Sequence, residues 1–150
     1  MINALPSGID ADVIVPVPLH PTRLRAREFN QSLLLADQLG RHLARPVSAR
    51  NLVRVAATDP QTTLTQQARL RNLQKAFDVR RPQDLAEKRI LLVDDVYTTG
   101  TTLNECAKIL RKAGAWPVFA LTLARTVDTG LVPDRIAAGP AAQPLRTIGI

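Results

Sequence analysis

The stretch at 90–103, I-L-L-V-D-D-V-Y-T-T-G-T-T-L, limits the fold more than any other part of the chain. Four apolar residues in succession read as a short buried strand. Asp94 and Asp95 stand where that strand ends, and a hydroxyl-rich turn, Thr98, Thr99, Gly100, Thr101 and Thr102, follows them. Leu103, Ala107, Leu110 and Ala113 then recur at helical spacing, with Gly114 in the C′ position that commonly ends a helix. A further apolar run, W-P-V-F-A-L-T-L at 116–123, supplies the last core strand. Strand, helix and strand over this length predict a right-handed parallel crossover.

Each part of the stretch has a use if the ligand is a sugar phosphate. Strand ends in parallel sheets open onto the ligand crevice, so Asp94 and Asp95 meet solvent and substrate there. Ionised carboxylates only accept hydrogen bonds, which suits a pair of vicinal sugar hydroxyls. The turn beyond them offers backbone amides, four threonine hydroxyls and a positive helix end, all of which favour a phosphate dianion. Gly100 permits a left-handed turn in which successive amides converge on one anion. A plainer reading is that Thr102 and Glu105 form a capping box that merely starts the helix. Capping accounts for one threonine and leaves two carboxylates and three threonines unexplained.

Elsewhere, D-V-I-V-P-V-P at 12–18 suits a buried strand running into a stiffened turn. Arg23, Arg25 and Arg27 alternate, a spacing that cannot share one helix face, and read as an extended loop converging on an anion or as a solvated basic surface. The segment at 29–43 carries a helical stripe of Leu33, Ala36, Leu39 and Leu43, with His42 off it and exposed. A strand pair or one irregular strand is expected at 47–55, with 51–55 the better half, and a short strand at 76–79. The polar, proline-marked segment from 58 leads into a Gln-, Arg- and Leu-rich run ending near Lys75, either a mobile lid or an ordinary surface helix.

At V-D-D-V-Y-T-T-G-T-T the chain resembles the signature by which type I phosphoribosyltransferases bind phosphoribosyl pyrophosphate (PRPP). V-P-V-P-L-H-P-T-R-L-R-A-R-E-F-N-Q at 15–31 and P-Q-T-T-L-T-Q-Q-A-R-L-R-N-L-Q-K-A-F at 60–77 extend the likeness to the ComF family, associated with DNA uptake in competent bacteria. The resemblance implies an α/β, type I phosphoribosyltransferase-like domain at 12–126, its central, mainly parallel sheet flanked by helices on both faces, between a lead-in at 1–11 and a Pro/Gly/Ala-rich tail at 127–150. That tail reads as mobile, although 145–150 could add an edge strand or meet a neighbouring molecule. It further implies that Asp94 and Asp95 hold the ribose hydroxyls, that Thr98, Thr99, Gly100, Thr101 and Thr102 grip the 5′-phosphate, and that Pro18, Leu19 and His20 hold pyrophosphate with Mg²⁺. The Mg²⁺ is expected through PRPP, near the two acids, without direct protein ligands. Gln61, Arg69 and Asn72 match the family's flexible loop, with Arg69 placed to reach pyrophosphate on closure. Arg23, Arg25, Arg27 and Asn72 are candidates for holding an anion or DNA. The chain departs from the family at Glu28 and Lys75, where relatives usually have glycine, and both departures bear on turnover.

A length of 150 residues and 45% apolar composition fit one globular domain. The net charge of +7 fits a polyanionic partner, either a pyrophosphorylated sugar or nucleic acid. Aromatics make up only 3%, which leaves few platforms for stacking bases. No membrane span or export signal is expected, and a single cysteine agrees with a reducing cytoplasm. Cys106 falls on the helix face of Leu103 and Leu110 and reads as a core thiol. ComF proteins usually carry an N-terminal four-cysteine zinc ribbon; nothing of the kind stands here, and with only His20, His42 and Cys106 a structural zinc site is not expected. Three functions follow as expectations: phosphoribosyl transfer from PRPP with Mg²⁺, a non-catalytic single-stranded DNA-binding module on the same fold, or a fold holding PRPP or a nucleotide as a regulatory ligand. Other competence or recombination proteins and a homodimer are further expected associations.

Overall fold

The computed structural model of the chain describes residues 10–19, 30–55, 76–97, 99–125 and 146–149. Strands β1 (Val13–Pro16), β4 (Ile90–Tyr97), β5 (Val118–Arg125) and β6 (Arg146–Gly149) form one sheet in the order β1-β4-β5-β6, and every neighbouring pair is parallel. Successive side chains of a strand point to opposite faces, so a run of apolar residues must be covered twice. Helix α1 (Gln31–Leu43) covers one face, packing Ala36 and Leu39 with Ile14, Leu91, Val93 and Leu121. Helix α2 (Thr101–Lys112) covers the other, packing Leu103, Cys106, Ala107 and Leu110 with Val13, Val15, Ile90, Leu92 and Ala120. The expected α/β sandwich is therefore present, with its core split by the sheet.

Local chemistry sets where the elements stop. Pro16, which lacks an N–H, closes the edge strand β1. Gly114 (φ 91°) ends α2, its amide donating to Arg111 O at 2.9 Å while that of Ala115 donates to Leu110 O at 3.1 Å. These two bonds are the Schellman pattern, and only glycine takes that backbone conformation without strain. The stripe of α2 is buried as its spacing predicts, and burial pushes the Cys106 thiol far above the ordinary range, so it stays protonated and packed.

Several expectations need correction or filling in. Within 47–55 only β2 (Leu52–Arg54) is a strand; it pairs antiparallel with β3 (Phe77–Val79) in a separate two-stranded sheet, while Val47 makes a lone bridge to Ile14. Leu52, Phe77 and Val79 pack with the buried stripe of α2. The last long strand begins at Val118, not Trp116, and runs on to Arg125. Trp116 is exposed, its ring 5.8 Å from the guanidinium carbon of Arg111. At 145–150, Arg146–Gly149 takes the edge-strand option, pairing with β5 from Phe119 to Thr122. At the opposite end of the sheet Arg89 ties the start of β4 to that of β1. It bonds both oxygens of Asp12, at 2.7 and 3.0 Å, and also Asp10, and so holds the Asp12 carboxyl well below the usual carboxylate range.

Gly40, inside α1, faces Val47. A Cβ there would stand 2.6 Å from Val47 Cγ2 and 3.0 Å from Arg45 O. Alanine normally gains about 1 kcal/mol over glycine in a helix, but overpacking costs about 1–3 kcal/mol and the Arg45 carbonyl is backbone that cannot swing away. The clash should win: Gly40→Ala is expected to lower the urea midpoint, and an unchanged or raised midpoint would show that the α1–Val47 contact yields easily.

Candidate functional site: the carboxyl end of the parallel sheet

Four chain segments meet where β1 and β4 end. Pro16 lies beside Val93, and the amide of Val17, just past β1, donates to Val93 O at 2.8 Å. Pro18 and Leu19 follow, half-buried. Asp94 and Asp95 come next along β4, and the N-termini of α1 and α2 close the group. Parallel strands flanked by helices place strand C-termini and helix N-termini at the same edge of the sheet, so the carboxylates and the positive helix ends are brought together by topology alone.

Asp94 and Asp95 are both half-buried. Asp94 Oδ1 accepts from Ser32 Oγ at 3.0 Å and from the Asp95 amide at 2.9 Å, while Asp95 Oδ1 accepts from the Val96 amide at 2.9 Å. Burial pushes the Asp94 carboxyl up to about 6, and the adjoining Asp95 carboxyl acts in the same direction against the pull of the Ser32 hydroxyl and the Asp95 amide. Two acids so arranged form a local excess of negative charge that gains from a hydroxyl donor, a proton or a cation.

The turn beyond them has the expected left-handed residue: Gly100 is buried at φ 72°, ψ 0°, and it caps α2. The first helical amide to bond back is Asn104, to Gly100 O at 2.9 Å. The amides of Thr101, Thr102 and Leu103 have no carbonyl within the helix to bond. Thr99 Oγ1 and Thr101 Oγ1 lie 2.8 Å apart, linking the two sides of the turn. The capping box does not form. No side chain caps α2, Thr102 lies inside its first turn, and Glu105 is buried with Lys108 Nζ 2.6 Å from its Oε1.

Of the site residues expected from sequence, Asp94, Asp95, Thr99, Gly100, Thr101, Thr102, Pro18 and Leu19 gather at this edge. His20, Arg23, Arg25, Arg27, Arg69, Asn72 and Thr98 lie outside the described residues, as do Glu28, Gln61 and Lys75. Two residues went unsuspected. Asn30 caps α1, its Oδ1 accepting from the Ser32 amide at 3.1 Å and its Nδ2 donating to Val17 O at 3.2 Å. Ser32, 3% exposed, reaches Asp94 across 62 positions of sequence. Asparagine ahead of a helical stripe is a readable N-cap signal; nothing local points from Ser32 to Asp94. Among the described residues no group of three or more His, Cys, Asp or Glu side chains is placed to hold a metal ion, and no helix is long and apolar enough to cross a membrane.

Comparison with known proteins agrees with this geometry. The profile of the phosphoribosyl transferase domain matches residues 30–137. Competence protein F of Haemophilus influenzae is 41% identical over 115 residues, which are 76% of this chain and 50% of that protein. DNA utilization protein YhgH of Escherichia coli K12 is 40% identical over 77% of this chain and 50% of its own length. Competence protein ComFC of Bacillus subtilis is 36% identical over 76% of this chain and 45% of its own. The chain thus spans about half the length of these relatives. Among solved structures, a hypothetical protein from Neisseria gonorrhoeae with bound ppGpp has a TM-score of 0.54 at 17% identity, over 96% of this chain and 70% of that one. The glutamine PRPP amidotransferase of Bacillus subtilis, complexed with ADP and GMP, has a TM-score of 0.53 at 24% identity, over 77% of this chain and 23% of that one. These two likenesses speak for the fold. The chain belongs to the phosphoribosyl transferase domain family and is of the ComF type.

Proposed function

We propose that the carboxyl end of the sheet binds PRPP with Mg²⁺ and that the domain transfers its phosphoribosyl group to an acceptor nucleophile, releasing pyrophosphate. The observation that carries this is the meeting of a partly buried acid pair with a glycine-capped helix start at one sheet edge. Asp94 and Asp95 accept hydrogen bonds from the ribose hydroxyls and stabilise positive charge as it develops at the anomeric carbon. The amides and hydroxyls at 99–102, with Thr98, take the 5′-phosphate. Pro18, Leu19 and His20 take pyrophosphate, with Arg69 as the closing cation. Among the described residues of the site none is assigned as a dedicated general base, and a dissociative displacement needs positioning and charge stabilisation more than a strong nucleophile.

The donor set fits Mg²⁺ carried by the ligand: hard oxygens, two carboxylates nearby and no preformed cage among the described residues, the arrangement Mg²⁺ favours with phosphates. When bound it neutralises charge on the departing pyrophosphate. Relatives named for competence and DNA utilization support a role linked to DNA uptake.

Pyrophosphate release tests the reading. Incubated with PRPP, Mg²⁺ and a panel of acceptors, the protein should release pyrophosphate, and Asp94→Asn should not. If no acceptor yields pyrophosphate while wild type and Asp94→Ala retain a labelled single-stranded oligonucleotide equally and in a salt-sensitive manner, the fold serves as a nucleic-acid-binding module instead.

A further inference from the structure

Asp94 is held by a closed circuit of hydrogen bonds that joins three elements. Ser32 Oγ donates to Asp94 Oδ1 at 3.0 Å, and the Ser32 amide donates to Asn30 Oδ1 at 3.1 Å. Asn30 Nδ2 donates to Val17 O at 3.2 Å, and the Val17 amide returns to Val93 O at 2.8 Å, one residue before Asp94. The end of β1, the start of α1 and the end of β4 are thereby fixed to one another at the carboxylate.

The circuit has a directional consequence. Asp94 Oδ1 already accepts two donors, from Ser32 and from the Asp95 amide, so the carboxylate is turned with that oxygen toward the protein. An acid with one oxygen held in this way presents a fixed orientation to a ligand hydroxyl. Without the Ser32 hydroxyl, the donor that remains among the described residues is the amide of the adjacent Asp95, which cannot hold the carboxylate against α1. A serine buried to 3% exposure in the first turn of a helix gains little for the helix itself, since alanine has the higher propensity. Its hydroxyl is spent on Asp94.

Resting on the ribosyl reading of Asp94 given above, we propose that Asp94 takes the sugar's 2-hydroxyl and that Ser32 is a positioning residue which, by orienting Asp94, sets the site's preference for ribosyl over 2-deoxyribosyl phosphates. It touches no ligand itself. A contact made by an oriented carboxylate to a ligand hydroxyl is charge-assisted and discriminates more strongly than one made by a carboxylate free to turn. Loss of the orienting donor therefore falls selectively on the sugar that carries the 2-hydroxyl, whereas general loosening of the site weakens both sugars alike.

The test is calorimetric titration of ribose 5-phosphate and 2-deoxyribose 5-phosphate into wild type, Ser32→Ala and Ser32→Thr, at about pH 8, above the range in which Asp94 titrates. Wild type should prefer the ribosyl ligand by roughly tenfold or more, the scale of one hydrogen bond to a charged group. Ser32→Ala should reduce that ratio to about threefold or less, and Ser32→Thr, which restores a hydroxyl, should recover most of it. Equal weakening of both sugars in Ser32→Ala, with the ratio kept, would overturn the assignment to Ser32 and leave the ribosyl site standing. If wild type bound both sugars equally or neither, the ribosyl reading of the acid pair would fall, and this inference with it.

Discussion

Asp94→Asn should make the empty protein more stable at neutral pH and, in the same stroke, remove its affinity for a ribosyl ligand. The carboxyl of Asp94 is pushed from its ordinary 3.8 up to about 6, chiefly by burial. Between those two values the folded chain keeps a proton that the unfolded chain has released. Stability therefore falls as pH rises through this window and levels off above it. By linkage the full shift corresponds to about 3 kcal/mol, and because Asp94 is only half-buried about 1–3 kcal/mol is the expected scale. Asparagine keeps an oxygen for Ser32 and the Asp95 amide to donate to, and carries no charge to desolvate. Urea denaturation of wild type and Asp94→Asn from about pH 4 to pH 7.5 should show the two midpoints diverging as pH rises, with the variant ahead at pH 7.5. Parallel curves would mean that Asp94 costs the fold nothing and that the environment derived for it is wrong. Under the proposed function, a charge that costs the resting fold stability in this way is kept for binding.

Leu92→Ala should have the largest effect on the fold. Leu92 is 0% exposed, lies in β4 between β1 and β5, and packs in the cluster that includes the buried stripe of α2. Removal of a fully buried leucine costs about 2–5 kcal/mol, against a total stability of about 5–15 kcal/mol for a typical domain. Thermal denaturation should show a drop of roughly 6–15 °C. Leu34→Ala, at a leucine 50% exposed on α1, is the control and should stay within about 0.5 kcal/mol of wild type. Similar losses in both variants would contradict the placement of the core between the sheet and α2.

The parts of this structure that sequence reveals are those governed by local pattern. The unbroken apolar start of β4, the period of α2, the glycine that ends it and the glycine that turns the chain before it each follow from rules acting over a few residues, and each stands where the pattern put it. Trp116 shows the limit: its apolar surface suggested a strand, but the strand starts two positions later at Val118 and the indole lies exposed beside Arg111. The capping box between Thr102 and Glu105 had the right letters, yet Gly100 had already begun the helix. The pairing of β2 with β3 and the bond from Ser32 to Asp94 join residues far apart in the chain, and no local spacing encodes such contacts. At the site this divides the legible from the hidden cleanly. The groups expected to touch ligand were readable from residue type and Asn30 as an N-cap from its place ahead of the stripe, whereas the bonds from Asn30 to Val17 and from Ser32 to Asp94 emerge only from the fold.

The most direct test of the central claim is thermal denaturation with PRPP and Mg²⁺ added together and separately, for wild type and Asp94→Asn/Asp95→Asn side by side. Wild type should show a saturable rise in Tm that needs both components, worth about 2.7 kcal/mol when ligand stands at a hundred times its Kd. The double variant should show none. An absent rise in wild type, or an equal rise in the double variant, would contradict the assignment of this acid pair to a phosphoribosyl ligand.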